Sequence, residues 1–275
     1  MNIYINENLK SVEDNISAYA LRDIYNKQSD VLVLNGFPIR EDIILKAGDR
    51  VTLIQKGVIP NYDELESLMI ARHTPNIHGK LKKGSIAVLG LGGLGSNIAI
   101  SLARIGVGNL VLVDYDVVEP SNLNRQQYYI DDIGKYKTQA LSENINRINP
   151  FIDVKTLNMV VNKDTLGYHS CNSFLSEDGV DIVIEAFDDP KYKAELCNYV
   201  LKNIKEKYLI ASSGMAGYSD SNTIMTKKIR DKFYISGDFI NEARSGEGLM
   251  APRVAICANH MANLAVQILV DKINK

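Results

Sequence analysis

The stretch that most constrains this 275-residue chain is "VLGLGGLGSNIAI", in which Gly90-x-Gly92-x-x-Gly95 follows an apolar run and opens a helical one. Glycine at the first position permits a tight strand-to-helix turn. At the second it lets backbone amides approach a phosphate, with the positive end of the helix dipole behind them. The third lies where helix and strand come close. Asp114 ends the next apolar run, "NLVLVD", about 20 residues on, where an acid can hold ribose hydroxyls. In this context the motif predicts a nucleotide, without saying which one.

From Ser85 the pattern alternates. "SIAVLG", "NLVLVD", "FIDVKTL", "DIVIEAF" and "EKYLIASS" read as strands. "GLGSNIAISLARIG", "KYKTQALSENINRI" and "PKYKAELCNYVLKNI" read as helices, and "APRVAICANHMANLAVQILVDKI" as a long closing helix. Strands separated by helices predict an α/β fold, a Rossmann-like, doubly wound and mostly parallel sheet with both faces covered. Residues 1–59 look separable: strand, helix, strand, strand, with an Asn-Gly hairpin turn at Asn35–Gly36. The expected organisation is 1–59 as a small half-open sheet with one covering helix, 60–84 as a connecting helix capped by Asn61 plus a polar linker, and 85–275 as the nucleotide-binding domain.

Composition narrows the partners. A formal charge of −2 and a pI near 6.1 indicate no broad basic field for nucleic acid. The first residues lack a basic region followed by an apolar core, and no uncharged apolar run reaches ~18 residues, so a cytoplasmic chain without a membrane span is expected. The three cysteines, Cys171, Cys197 and Cys257, are odd in number and form no CxxC pair. The four histidines lack metal-ligand spacing, so neither disulfides nor a structural zinc is expected. Cys197 and Cys257 read as core residues, while the context of Cys171, "GYHSCNSF", leaves room for greater exposure.

The strand "NLVLVD" runs into "VDYDVVEPSNLNRQQ", a polar cassette that ribose binding alone does not require. A hydride-carrying dinucleotide has little need of cations around its phosphates. ATP attacked at its α-phosphate does, because the leaving pyrophosphate is highly charged and catalysis is mostly positioning and neutralisation. Arg125 in the cassette, Lys137 at the start of the next helix and Asp188 after "DIVIEAF" are candidates for two cations and a magnesium-holding carboxylate. All three follow strands on the carboxyl edge, where open parallel sheets bind ligands. Taken singly, Arg125 and Lys137 also read as surface charges, Asp188 and Asp189 as caps before Pro190, and Asn122 and Asn124 as turn formers.

The combination "GLGGLGS…LARIGVGNLVLVDYDVVEPSNLNRQ…GKYKTQAL…INP" closely resembles the ThiF–MoeB–HesA superfamily, bacterial relatives of ubiquitin-activating enzymes, over roughly residues 62–272. The resemblance implies adenylylation, with ATP and Mg2+, of the C-terminal glycine carboxylate of a small sulfur carrier. It implies that Gly92 and Gly93 line the α-phosphate and carrier tail, that Asp114 holds ribose, and that Asn122, Arg125, Gln126 and Lys137 bind phosphates while Asp188 holds magnesium. It also implies a homodimer in which an N-terminal arginine, Arg72, crosses to the partner's ATP. Two departures stand out: the paired CxxC zinc motif of many relatives is missing, and the region after the late strands, "SSGMAGYSDSNTIMTKKIRDKFYISGD", carries no cysteine for a link to the carrier.

Residues 1–59 resemble a ThiS-type sulfur carrier, which implies a β-grasp (ubiquitin-like) domain, yet the chain continues "KGVIPNYDEL" where a carrier ends in Gly-Gly. This copy has no terminal carboxylate to activate, so docking, dimer contacts, autoregulation or a purely structural role are the readings it leaves. The leading expectation is an adenylyltransferase acting on a separate ThiS-like carrier in thiamine biosynthesis. Rivals are activation of another carboxylate (a molybdopterin-type carrier, a peptide C-terminus or a modified tRNA base), a non-catalytic carrier-binding scaffold, and an NAD-dependent oxidoreductase.

Overall fold

In the computed structural model, residues 1–70, 77–167, 171, 175, 179–244 and 246–272 are described. The chain divides into two compact units, Met1–His73 and Thr74–Lys275.

Unit 1 is a five-stranded sheet in the order β2-β1-β5-β3-β4, built from β1 (Asn2–Ile5), β2 (Asn8–Ser11), β3 (Val31–Leu34), β4 (Phe37–Ile39) and β5 (Arg50–Ile54). β1 and β5 pair in parallel and the other neighbours antiparallel. Helix α1 (Ala18–Tyr25), capped by the Ser17 hydroxyl, lays Ala18 and Leu21 over Ile3, Ile5, Leu32, Val51 and Leu53. Asn35 and Gly36 both take positive φ, 51° and 88°, which gives the β3–β4 hairpin the turn whose twist matches its strands. Sequence reading finds β1, α1, the hairpin and β5 but not β2. That strand is "NLKS", exposed at every position on the sheet edge, so it carries no buried-face alternation. Helix α2 (Tyr62–Ile70) starts at Asn61, whose side chain accepts the Glu64 N–H at 3.0 Å.

Unit 2 is a seven-stranded sheet in the order β11-β12-β10-β9-β6-β7-β8. Its strands are β6 (Ser85–Leu89), β7 (Asn109–Asp114), β8 (Asp153–Asn158), β9 (Ile182–Glu185), β10 (Tyr208–Ser212), β11 (Met225–Arg230) and β12 (Phe233–Gly237). All pairings are parallel except β11 with β12. Its helices are α3 (His78–Leu81), α4 (Gly93–Arg104), α5 (Lys137–Ile148), α6 (Pro190–Asn203) and α7 (Ala251–Lys272). Alternate strand residues face opposite layers. Ile86, Val88, Leu110, Leu112, Ile182 and Ile184 pack with α4, α5 and α7, while Ala87, Leu89, Val111, Val113 and Val183 pack with α6.

The β11–β12 pair lies in a region where sequence reading places no strand. Its outer member, "MTKKIR", is mostly exposed and lysine-rich, the usual protection of a sheet edge, and a polar edge gives no periodicity to read. The linker likewise contains the one-turn α3. Helix α7 is long and apolar enough, by length and composition alone, to cross a membrane. Its Val254, Cys257, Ala258, Met261, Ala265 and Leu269 instead join the unit 2 core.

Winding reverses between β6 and β9, so their carboxyl ends border the crevice where such sheets take ligands. The glycine loop leaves β6 there, and the Ala186–Asp188 turn leaves β9 beside it.

Candidate functional site

Close backbone approach explains two of the glycines. Gly90 has φ +89°, and a Cβ on it would lie 2.7 Å from the Ala186 carbonyl oxygen. A Cβ on Gly95 would lie 1.8 Å from the Gly90 carbonyl oxygen, so the first turn of α4 is pressed onto the loop. Gly92 is the N-cap of α4 and has no side chain to satisfy the first amides of the helix. Above it the space is open, the nearest atom to a Cβ being the Gln126 Nε2 at 3.9 Å. An anion can therefore reach the helix end.

Asp114, at the end of β7, is buried and shapes this loop. One carboxylate oxygen accepts the Leu91 N–H at 2.6 Å and the other the Asp116 N–H at 2.9 Å. Each oxygen keeps a lone pair for a hydroxyl.

The cassette then folds back over α4. Glu119 is the N-cap of a short 3-10 turn, and the buried Asn122 side chain accepts its N–H at 3.0 Å. Asn97 of α4 donates to the Arg125 carbonyl at 3.1 Å, the Gln127 N–H reaches the Ser96 hydroxyl at 3.1 Å, and the Tyr128 hydroxyl donates to the Leu91 carbonyl at 2.8 Å. These bonds bring Arg125 to Gly93, with its Cδ 3.6 Å from where a Cβ would stand. Arg125 donates to the Ser121 carbonyl and to Asn124, which leaves its buried Nε without a partner; the buried Gln126 Oε1 has none either. Two unpaired polar atoms on a loop facing a helix N-terminus are what a polar ligand would satisfy.

Lys137 is 6% exposed and pairs with Asp116 at 2.8 Å, while Asp116 remains 46% exposed. Asp116 thus holds a lysine that would otherwise be a buried unpaired charge, and Glu119 is a capping residue; sequence reading assigns neither a role. Asp188 is exposed at the end of β9. Asp189, not Asp188, caps α6, accepting the Lys191 N–H at 2.7 Å. The field of Asp188 reaches the cassette: Asp116, partial burial, Asp114 and Asp188 together push the Tyr115 hydroxyl above its usual range. Gly90, Gly92, Gly93, Gly95, Asp114, Asn122, Arg125, Gln126 and Lys137 therefore share one end of the sheet, with Asp188 across the crevice. Arg72 lies outside the described residues.

Glu185, Asp238 and Arg253 are further buried charges to which sequence reading assigns no role. Glu185 is fully buried in "DIVIEAF", where burial pushes its carboxyl up against the opposing pull of Lys193, 2.6 Å away. Asp238 and Arg253 form a buried ion pair at the start of α7. Burial opposes ionisation of Asp238, but the N–H groups of Asn241 and Ile240, the Asn241 amide and Arg253 outweigh it and hold the carboxyl down to about 2. For Glu185 and Arg253 the available signal is a charge inside a mostly apolar run; Asp238, in "SGDFIN", offers none.

The structure decides the open reading of Cys171. It is 0% exposed, in the core beneath β6 and β7, and burial raises its thiol. Burial also pushes Cys197 and Cys257 up to about 12. All three are held as neutral thiols, poor nucleophiles.

Comparison with known proteins bears on the same segments. Residues 1–57 match the ThiS-like ubiquitin family and residues 66–275 the ThiF family. The tRNA threonylcarbamoyladenosine dehydratase of Haemophilus influenzae is 33% identical over 178 residues, covering 63% of this chain and 65% of that protein. The Bacillus subtilis protein of the same name is 38% identical over 141 residues, covering 51% and 52%. The chain thus spans between about half and two-thirds of these curated relatives. The crystal structure of the Escherichia coli tRNA N6-threonylcarbamoyladenosine dehydratase in complex with ATP superposes with a TM-score of 0.67 at 23% identity, over 78% of this chain and 99% of that one, a likeness of fold. A family match over most of the length, on top of a glycine loop with its cassette folded against it, makes this chain a member of the ThiF family.

Proposed function

We propose that unit 2 uses ATP to adenylylate a carboxylate, releasing pyrophosphate, and that the carboxylate is the C-terminal glycine of a separate ThiS-like carrier protein, as in thiazole assembly for thiamine. One observation carries the reading: the cassette is folded back so that Arg125 and Gln126 lie against the N-terminal end of α4 with buried polar atoms unpaired. A nicotinamide dinucleotide would leave those groups without a task.

In this reading the α4 amides and Gly92 receive the α-phosphate, and Asp114 takes the ribose hydroxyls. An attacking carboxylate is already ionised at neutral pH, so no general base is required. Its oxygen forms a bond to the α-phosphorus as the bond to the bridging oxygen breaks, and the electron pair leaves on pyrophosphate. Arg125, and Lys137 oriented by Asp116, neutralise that charge as it develops. The donor set fits magnesium, a hard cation that binds through one or two carboxylates plus substrate phosphates. Asp188 is the residue that would hold it, and the ion would neutralise phosphate charge.

The ThiS-like unit 1 favours a carrier as partner. It is not itself the substrate, because Gly57 is followed by Val58 rather than a chain end. We assign it to docking, dimer contacts or autoregulation of a homodimer in which Arg72 serves the neighbouring site. A second reading has support in the names of the dehydratase relatives: a carboxylate on a modified tRNA adenosine. The near-neutral charge of the chain disfavours it.

ATP–pyrophosphate exchange separates the readings. Carriers ending in diglycine are expected to stimulate it and RNA bearing threonylcarbamoyladenosine is not; the reverse result establishes the second reading. Arg125→Ala is expected to lower exchange by roughly 10²–10³-fold. Exchange that survives this change overturns the mechanism.

A further inference from the structure

The turn that carries Asp188 is held from both sides. Below, the Ala186 N–H donates to the Leu89 carbonyl at 2.8 Å, and the Ala186 carbonyl closes on Gly90 so tightly that only glycine fits. Above, Glu185 reaches forward: its Oε1 accepts the Phe187 N–H at 2.7 Å. Its Oε2 is held by the Lys193 ammonium at 2.6 Å and receives the Ser212 N–H at 3.4 Å. Lys193 also donates to the Ser212 hydroxyl at 3.0 Å. One side chain thus ties together the turn after β9, the body of α6 and the end of β10.

As a stability device this arrangement is poor. A fully buried carboxylate and its partner lose hydration, and apolar residues of similar volume commonly serve a core as well or better. The surroundings, including Val183, Leu196, Leu209 and Ala211, would accept such residues. What apolar residues cannot supply is an acceptor for the Phe187 N–H, the bond that sets the path of the chain between Glu185 and Asp188.

We propose that Glu185 is a positioning residue: steadied by Lys193, it fixes the Ala186–Asp188 turn against the glycine loop and so aims the Asp188 carboxylate at the cation accompanying the nucleotide. The inference rests on the ATP reading above and adds to it a residue that touches neither ATP nor metal.

Two charge-neutral pairs in the full-length chain test it. Glu185→Gln with Lys193→Met keeps an acceptor for Phe187; Glu185→Leu with Lys193→Met removes it. ATP binding is measured by calorimetry with Mg2+ and with EDTA, and thermal melting checks folding. The Gln pair is expected to keep the wild-type tightening by Mg2+. The Leu pair is expected to lose roughly 10–100-fold of it, with metal-free binding unchanged. If both pairs melt below the assay temperature, Glu185→Gln alone is read, and it too must keep the tightening. Unchanged Mg2+ dependence in the Leu pair overturns the proposal, as does equal weakening with and without Mg2+, the mark of a merely structural role. A wild-type protein that binds no ATP overturns the functional reading, and this one with it.

Discussion

The two units solve the folding problem by different means. Among the described residues, unit 1 buries no charged side chain. Its core is Ile3, Ile5, Ala18, Leu21, Leu32, Leu45, Val51 and Leu53, a small sheet closed by one helix. Among its described residues unit 2 buries six charged ones, Asp114, Asp132, Lys137, Glu185, Asp238 and Arg253, most of them toward the carboxyl edge of the sheet. Burying ions costs free energy that packing does not repay, so they persist where geometry or chemistry needs them. Unit 1 matches the ThiS-like family, and its buried polar groups are neutral: Ser29, and Asn6, whose side chain accepts the Leu53 N–H at 2.8 Å. Unit 2 has concentrated polar groups where a ligand is expected.

The most severe way to break unit 2 is to fill its tightest contact. Gly95→Val is expected to abolish nucleotide binding and unfold or displace the start of α4, because even the first added carbon has no space beside the Gly90 carbonyl. Calorimetric melting with ATP titration reads this directly.

A sharper contrast comes from matched core substitutions. In unit 2, Arg253→Met leaves Asp238 buried without its partner and should cost about 3–5 kcal/mol, most of it recovered when Asp238→Asn is added. In unit 1, Leu21→Ala should cost about 2–5 kcal/mol through the cavity it leaves, and no second polar change should rescue it. Chemical denaturation of the four proteins decides whether pairing governs one unit and volume the other.

The smallest expected effect is an acid-sensitive increment in unit 2. The Asp238 carboxyl is depressed from 3.8 to about 2 in the folded state, so its contribution is full above pH 4 and is lost as pH falls through about 2. The increment is about 2 kcal/mol. Denaturation between pH 5 and 2 should show it in the native chain. The Arg253→Met, Asp238→Asn pair should lack it.

Much of this was legible in the residues. The alternation from Ser85 onward predicts the parallel sheet because buried strands are continuous apolar runs. Asn35–Gly36 marks its hairpin because only such residues take positive φ cheaply. The strands that escaped, β2 and β11, are polar edges, and β12 escaped beside one of them; pairing there is specified by a neighbour rather than by local pattern. The cassette was readable as a group of residue types. Its partnerships were not, since Lys137 finds Asp116 across 21 residues and Arg253 finds Asp238 across 15. Glu185 hid inside an apolar strand, and Cys171 in a segment whose burial depends on what covers it.

By itself the amino-acid order determined the fold class, the phosphate loop and the chemical types gathered around it, because helix and strand periods and glycine's steric freedom are local properties. Only the tertiary structure decided which charges are buried, which are paired, and that Asp189 caps while Asp188 stays exposed. Those outcomes depend on distances between strand ends that are remote in sequence, and on how much water the packed layers exclude.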